Sequence, residues 1–349
     1  IGGPITPRLQ AVEQVWSGAG FRVKLFDDID QLVWEKLVCN CAYSGPCALG
    51  DATAPDQVGA LAIAALVVAV GCSAKGPRDE QRSAWVTYRQ GHAIETVSQV
   101  IAADKVLPMD SLGEPLFAAL VLSAESGLGA DQRIDRCGAA RAGIVFGRTG
   151  KNAAKPTVRQ ILSHQSGLAN RANSTLLTFE PGTRWSRSDD AMLCLQRNLE
   201  RASQSDFEEV AQSGLLASLE LFNSGWVRNE AGRPHASRTF SSSLSDLSRV
   251  LACVLSRTCS SLPASLLALQ ESPQIVADPA LGVSWGLGWA VFSDSGTAVL
   301  AHFGQTTSGY RLMVAVPSAG DGVVVFVEFE HITAFQRTLR PTGLGKLTQ

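Results

Sequence analysis

Lys36 and Asn40 are the first side chains whose types and spacing could do chemistry together. They stand four residues apart in Trp34-Glu35-Lys36-Leu37-Val38-Cys39-Asn40, so on a helix they share one face. An ammonium and an amide on one face can hold and protonate a carbonyl or hydroxyl substrate. An exposed lysine and a solvated asparagine have the same spacing, and the spacing alone favours that plainer reading. His164 and Ser166, in Ser163-His164-Gln165-Ser166-Gly167, invite a second reading as base and nucleophile. Side chains two residues apart do not readily meet in a regular helix or strand. The better account is that both satisfy backbone groups where a short helix ends at Gly167. The cysteines at 39, 41, 47, 72, 137, 194, 253 and 259 contain no CxxC paired with another, so a zinc site is not expected. A chain this large does not need disulfide staples, and buried free thiols are the expectation.

The elements that must position such groups change character along the chain. Helical spacing runs through Leu9, Val12, Val15 and Trp16, and through Ile29, Leu32, Val33, Leu37 and Cys41. Ala60–Ala74 and Ile94–Asp104 are also helical in character, so the first 110 residues read as mostly helix. Farther on, Leu116–Ser126, Thr157–His164, Phe207–Leu216 and Ser245–Leu255 read as helices, with N-cap oxygens on Ser241 to Ser243 before the last. Gly288–Phe292, Ala298–His302, Tyr310–Val316 and Gly322–Phe329 read as four strands separated by short turns, which predicts an antiparallel sheet. The fold class is therefore α+β. A helical domain over residues 1–115 precedes a sheet-and-helix domain over 116–335 and a tail over 336–349.

Bulk properties exclude several partners. A chain of 349 residues with 45% hydrophobic content can bury two cores. A net charge of −2 without a basic patch argues against nucleic acid. The longest apolar run, Ala60–Val70, is shorter than the roughly 20 residues that span a bilayer. Its end in Val70-Gly71-Cys72 could be a lipoprotein cleavage site, but the run does not stand at the start of the sequence, and a buried helix accounts for it better. No leader-like stretch opens the sequence as given, and the expected location is cytoplasmic.

WEKLVCNCAYSGPCAL, preceded by GAGFRVKLFDDID, resembles the start of the C-terminal helical domain of the ketopantoate reductase family. The resemblance implies a catalytic lysine at Lys36 and a substrate-binding asparagine at Asn40. Arg89-Gln90-Gly91-His92-Ala93-Ile94-Glu95 is similar to the family's G-x-x-x-E segment, which implies Glu95 as a ligand of the substrate hydroxyl. Ser83 falls where the family has a substrate-binding serine. That chemistry needs NADPH on a Rossmann domain, and no G-x-G-x-x-G occurs in this sequence. No cofactor is expected on this chain. NADPH would enter only if a Rossmann domain were supplied by another polypeptide.

Thr157-Val158-Arg159-Gln160-Ile161-Leu162-Ser163-His164-Gln165-Ser166-Gly167-Leu168 resembles the signature of class C β-lactamases, related esterases and D-aminopeptidases. Further matches follow in that family's order at Phe179–Thr183, Thr239–Leu247, Trp285–Trp289, and His302-Phe303-Gly304 with Gly309-Tyr310. The resemblance implies a β-lactamase-like domain of antiparallel sheet and helices. Its chemistry uses a serine in S-x-x-K, a tyrosine in Y-x-N, and a strand carrying H-x-G that serves the oxyanion. His302 and Gly304 fit the strand. Arg187 takes the tyrosine position and Asp189 the asparagine position. Ser111-Leu112-Gly113-Glu114 offers S-x-x-E, with Glu114 where the lysine belongs.

The joint between the two resemblances falls near residues 109–120, so the hydrolase-like domain is expected to lack its N-terminal strands. Three readings follow. The favoured one is a hydrolase scaffold fused to a reductase-like domain and catalytically impaired in both halves. The others are an active serine hydrolase using Ser111 with Glu114 as base, and a reductase component using Lys36, Asn40, Ser83 and Glu95. The first two imply a small-molecule ligand of β-lactam or ester type, the third a pantoate-like one. An unpaired sheet edge and an exposed apolar interface would favour self-association.

Overall fold

The computed structural model describes residues 81–98, 101–123, 126–137, 144–145, 155–169, 177–228, 232–279, 282–294, 297–306 and 309–329. The helical segment expected over residues 1–80, with Lys36, Asn40 and Cys72, lies outside the described residues, as does the tail over 336–349. In chain order come strands β1 (Gln81–Arg89), β2 (His92–Val97) and β3 (Leu107–Asp110), then a 3-10 turn (Ser111–Gly113) leading into helix α1 (Glu114–Leu122). Strands β4 (Arg136–Cys137) and β5 (Ile144–Val145) follow, then helices α2 (Val158–Leu162), α3 (Asp189–Ser203) and α4 (Phe207–Ala211). Strands β6 (Gly225–Trp226) and β7 (Phe240–Ser242) precede helices α5 (Leu244–Ser256) and α6 (Ala264–Glu271). The chain closes on β8 (Ile275–Asp278), β9 (Val283–Trp285), β10 (Ala290–Asp294), β11 (Thr297–Gln305), β12 (Gly309–Val316) and β13 (Asp321–Phe329).

Val323-Val324-Val325-Phe326-Val327 is buried residue after residue, as a strand covered on both faces must be. It is the middle of β13, which lies inside an eight-stranded sheet ordered β2-β1-β13-β12-β11-β10-β9-β8. Every neighbouring pair in it is antiparallel. The four strands expected near the C-terminus are β10 to β13. Helix α5 packs on β13, β12 and β1, with its N-terminus capped by the Ser243 hydroxyl accepting from the Asp246 amide. No helix among the described residues is long and apolar enough to cross a membrane.

Two expectations fail at the front of this sheet. Residues Ile94–Asp104 are not a helix, because His92–Val97 is strand β2. The sheet is also not cut short, because β1 pairs with β13 from Gln81↔Phe329 to Tyr88↔Gly322 and β2 pairs with β1. Ser83 on β1 and Glu95 on β2 therefore belong to the sheet rather than to the end of a helical domain. The helical reading of Ile94–Asp104 misleads because Ile94 is exposed on an edge strand while Ile101 is buried. The strand signal lay instead in β1, where Ala84 and Val86 are buried and Ser83, Trp85 and Thr87 between them are only partly so. The edge that a truncated sheet would leave on β13 is covered by β1, which removes that ground for self-association.

Helix α1 runs through the middle of the core. Glu114 through Val121 are all buried, so the helix has no polar face, and Pro115 in its first turn costs no hydrogen bond. The short sheet β3-β7-β6 lies at its start, and Gly113 packs so closely on the Phe240 ring that a side chain there would collide with it.

Four of the thiols expected to be free are bridged. Cys137 joins Cys194, tying β4 to α3, and Cys253 joins Cys259 across the turn after α5. Their Cα atoms are 4.7 and 5.4 Å apart, within the span a disulfide requires. Chain size says whether a crosslink is needed, not which thiols the fold brings together. Mapping of unreduced peptides is expected to recover Cys137 linked to Cys194. Loop-closure entropy over 57 residues gives this bridge about 4 kcal/mol, the upper limit of the loss expected in Cys194→Ala. Recovery of the two cysteines as separately alkylated peptides would refute the pairing.

Candidate functional site

Strand β3 delivers the chain to Ser111 through a strained residue. Asp110 has φ 50° and ψ −128°, a conformation that a side chain disfavours and that costs roughly 1–3 kcal/mol. Neighbours hold it there. Strand β11 presses on the turn, and Gly304 lies against the Met109 carbonyl so tightly that a Cβ has no room. One residue earlier on β11, the Phe303 carbonyl accepts a 2.8 Å hydrogen bond from the Ser111 hydroxyl. Ser111 itself is buried.

Glu114, one helical turn on, is fully buried and is the hub of the site. Arg187 donates from Nη2 to its Oε1 at 3.1 Å. His164 lies with Nε2 at 3.3 Å from its Oε2. The Ser188 amide donates to His164 Nδ1 at 3.4 Å, so the ring proton belongs on Nε2, which donates to Glu114. His302 Nε2 stands 3.7 Å from the same carboxylate oxygen.

Local sequence explains how each arm arrives. Helix α2 starts on a capping box between Thr157 and Gln160, and the turn after it carries His164 at φ 57°. Helix α3 is capped by the Ser188 hydroxyl accepting from the Ala191 amide, which fixes Arg187 and Asp189 on either side of the cap. Arg187 then also donates to Asp189 Oδ1 at 3.0 Å, and Arg238 donates from Nε to Asp189 Oδ2 at 2.8 Å. The result is a chain of alternating charges, Glu114–Arg187–Asp189–Arg238, running from the core to solvent. Trp285 walls it, with ring centroids 5.3 Å from His164, 5.4 Å from Trp185 and 5.9 Å from His302.

Burial pushes the Glu114 carboxyl up, but the Arg187 guanidinium and the His164 hydrogen bond more than offset it, and its pKa lies below the ordinary value. Asp189 follows the same pattern with Arg187 and Arg238, and its pKa falls. Burial pulls Arg187 down, but Glu114 and Asp189 raise it above the usual guanidinium range. Burial drives His302 down to about 4, against the pull of Glu114, so the ring is neutral near pH 7. Asp110 goes the other way. Burial raises it to about 6, Arg187 opposes this, and Asp189 and Glu114 add to it.

The structure brings together Ser111, Glu114, Arg187, Asp189, His302 and Gly304, the residues to which the resemblance had pointed. It does not gather Ser83 and Glu95 with them. Those sit on β1 and β2, where exposed Glu95 accepts a 3.1 Å bond from Trp85 Nε1. Sequence reasoning missed Asp110, Arg238 and the role of His164 at Glu114. Only Asp110, beside Ser111, carried a signal. His164 and Glu114 are separated by 50 residues and Arg238 and Asp189 by 49, distances no local pattern spans. Among the described residues no group of His, Cys, Asp and Glu could hold a metal ion.

Chemically, an ionised carboxylate stands one helical turn from Ser111 and is paired with a guanidinium that keeps its proton. The Ser111 proton goes to a carbonyl, not to Glu114. Stability should follow the charges. Glu114 and Asp189, with depressed pKa values, stabilise the fold above about pH 4 and lose that contribution as pH falls further. Asp110, raised, contributes below about pH 4 and loses its contribution as pH rises through about 6. Arg187→Leu leaves Glu114 without its main counter-charge and is expected to cost about 3–5 kcal/mol in urea unfolding at pH 7, less at pH 5 as Glu114 takes up a proton. Glu114→Leu is expected to cost less, because Arg187 keeps Asp189. Equal costs, or an Arg187→Leu cost unchanged by pH, would contradict this reading of the ion pair.

Comparison with known proteins places this geometry. A β-lactamase family model matches residues 83–341. No curated protein sequence matches the chain. Among solved structures, the octameric penicillin-binding protein homologue from Pyrococcus abyssi is 16% identical over 77% of this chain and 73% of its own, with a TM-score of 0.60. A β-lactamase from Mycobacterium bovis is 21% identical over 76% and 92%, with a TM-score of 0.56. The β-lactamase/D-alanine carboxypeptidase from Yersinia pestis, solved with citrate, is 14% identical over 71% and 86%, with a TM-score of 0.58. At these identities the likeness is one of fold, but the family match spans most of the chain, and the chain belongs to the β-lactamase family.

Proposed function

We propose that this chain is an impaired serine hydrolase of the β-lactamase family, one that presents Ser111 to an acyl ligand without the means to activate it. The observation that carries the proposal is the Glu114–Arg187 pair, 3.1 Å apart and at the two positions where the resemblance calls for lysine and tyrosine. Neither partner takes a proton from Ser111. The carboxylate is committed to Arg187 and His164, and the guanidinium does not deprotonate. The ligand class is a β-lactam, an ester or a D-amino-acid peptide, and the fold alone does not choose among them.

The strained backbone at Asp110 favours a second reading, an active hydrolase. Strain of this kind persists only where the surroundings enforce it and is concentrated at functional sites. Under that reading Ser111 is the nucleophile and Glu114 a base reached after rearrangement. A reductase role is less well supported, because Ser83 and Glu95 belong to the sheet. Lys36 and Asn40 would serve it only with NADPH bound to a Rossmann domain on another chain. Two disulfides favour an oxidising compartment over the cytoplasmic location expected from sequence.

Incubation with a fluorescent penicillin, followed by mass spectrometry of the protein, separates the two main readings. The impaired reading expects folded protein without a covalent adduct. An adduct on the Ser111 peptide, lost in Ser111→Ala, would establish the active one.

A further inference from the structure

We infer that Arg187 and Arg238 form an anion-binding site on the solvent side of the Ser111 site, one that takes the carboxylate of an acyl ligand. The inference rests on the acyl-ligand reading proposed for Ser111, and not on whether that serine is acylated.

Asp189 stands between the two guanidiniums. Arg187 donates to its Oδ1 from Nε at 3.3 Å and from Nη2 at 3.0 Å. Arg238 donates to its Oδ2 from Nε at 2.8 Å, with Nη2 at 2.6 Å from the same oxygen. Arg187 Nη2 also reaches Glu114 Oε1. Each guanidinium thus turns one edge to a carboxylate and leaves Nη1 over. No group among the described residues accepts from either Nη1. Exposure rises outward along the same chain of charges. The Glu114 side chain is fully buried and that of Asp189 is 9% exposed, whereas Arg187 is 34% and Arg238 56% exposed. Arg187 Nη1 is not among the buried polar atoms left without a partner, so it opens to solvent. The carboxylates are recessed, and what an incoming ligand meets is N–H.

Arg187 is the arm that reaches toward the serine, because it bonds to Glu114 one helical turn after Ser111. A ligand held at Ser111 therefore extends past Arg187 on its way to solvent, with Arg238 beyond. Asp189 has one negative charge for two guanidiniums, so the outer end of the network carries a positive excess. Glu114 offsets it only from below, where no ligand reaches it. Asp110 also lies near Arg187 and opposes an anion when ionised. Directed N–H groups rather than net charge therefore carry the selectivity. A planar carboxylate accepts from guanidinium N–H groups in the geometry that Asp189 already shows. A neutral carbonyl accepts from the same groups, but without charge assistance the bond is roughly half as strong.

Reversible binding to the full chain tests this, with no bond to Ser111 required. In protein labelled with 15N-arginine, the Nε signals of Arg187 and Arg238 are identified by their loss in Arg187→Lys and Arg238→Gln. Titration with N-acetyl-D-alanine should move both signals to saturation. N-acetyl-D-alanine amide, which has the same shape without the charge, should bind about tenfold more weakly, the loss of one charge-assisted hydrogen bond. Arg238 lies at the surface and Arg187 holds Asp189 without it, so Arg238→Gln should stay folded. It should bind the acid about tenfold more weakly than the parent and the amide equally well. Equal affinities for acid and amide, acid that moves neither arginine, an acid affinity unchanged in Arg238→Gln, or inorganic phosphate bound as tightly as the acid would overturn the inference. Labelling with 15N-serine separates it from the reading it rests on. The Ser111 amide signal, identified by its loss in Ser111→Ala, should move together with the arginines. Acid that moves both arginines but not Ser111 would uphold the anion site and overturn the acyl-ligand reading. Acid and amide that move Ser111 at equal concentrations would overturn the anion site and leave the acyl-ligand reading intact.

Discussion

A carboxylate with no exposure to solvent, such as Glu114, needs partners on every side, because leaving it bare in the interior costs several kcal/mol. Much of the site can be understood as the answer to that requirement. Arg187 supplies the charge and His164 a ring N–H. Asp189 and Arg238 then hold Arg187 in place and carry the alternation out to solvent. The cap on α3 and the left-handed turn after α2 exist at the positions where these arms must enter. Removing one member leaves a charge behind rather than a gap, and the cost depends on what partners that charge still keeps.

A second constraint acts on the backbone around Ser111. Strand β11 can reach the turn only because residue 304 is glycine, and helix α1 can follow it closely only because residue 113 is glycine. These contacts hold Asp110 in a conformation it would not adopt alone. The energy for this comes from the packed sheet and the buried α1, both far larger than the strain. The site thus combines a serine held by close packing with a buried ion pair one helical turn away. Scaffold and chemistry are separable in this fold, and a family assignment carries the first without the second.

The charge balance of the site rests on guanidiniums that hold Glu114 and Asp189 ionised. The two disulfides contribute to the frame rather than to this balance. One anchors α3, the helix whose N-terminus presents Arg187 and Asp189.

The sequence by itself determined the elements whose signals are local. The apolar runs of β10 to β13 and the ordered motifs from Thr157 to Tyr310 were legible, and with them the family and six of the residues that the structure brings together. It misplaced β2, read as helix, because an exposed edge strand shows no burial period and owes its existence to β1. It also missed the front of the sheet, because β1 pairs with a strand more than 200 residues away. Only the tertiary structure decided that Glu114 is a partner of Arg187 and His164 rather than a free base, that Asp110 holds a strained backbone before Ser111, and that Cys137 meets Cys194. Each of these depends on distance and burial between segments far apart in the chain, and the charge state of a carboxylate is set by what surrounds it, not by its neighbours in sequence.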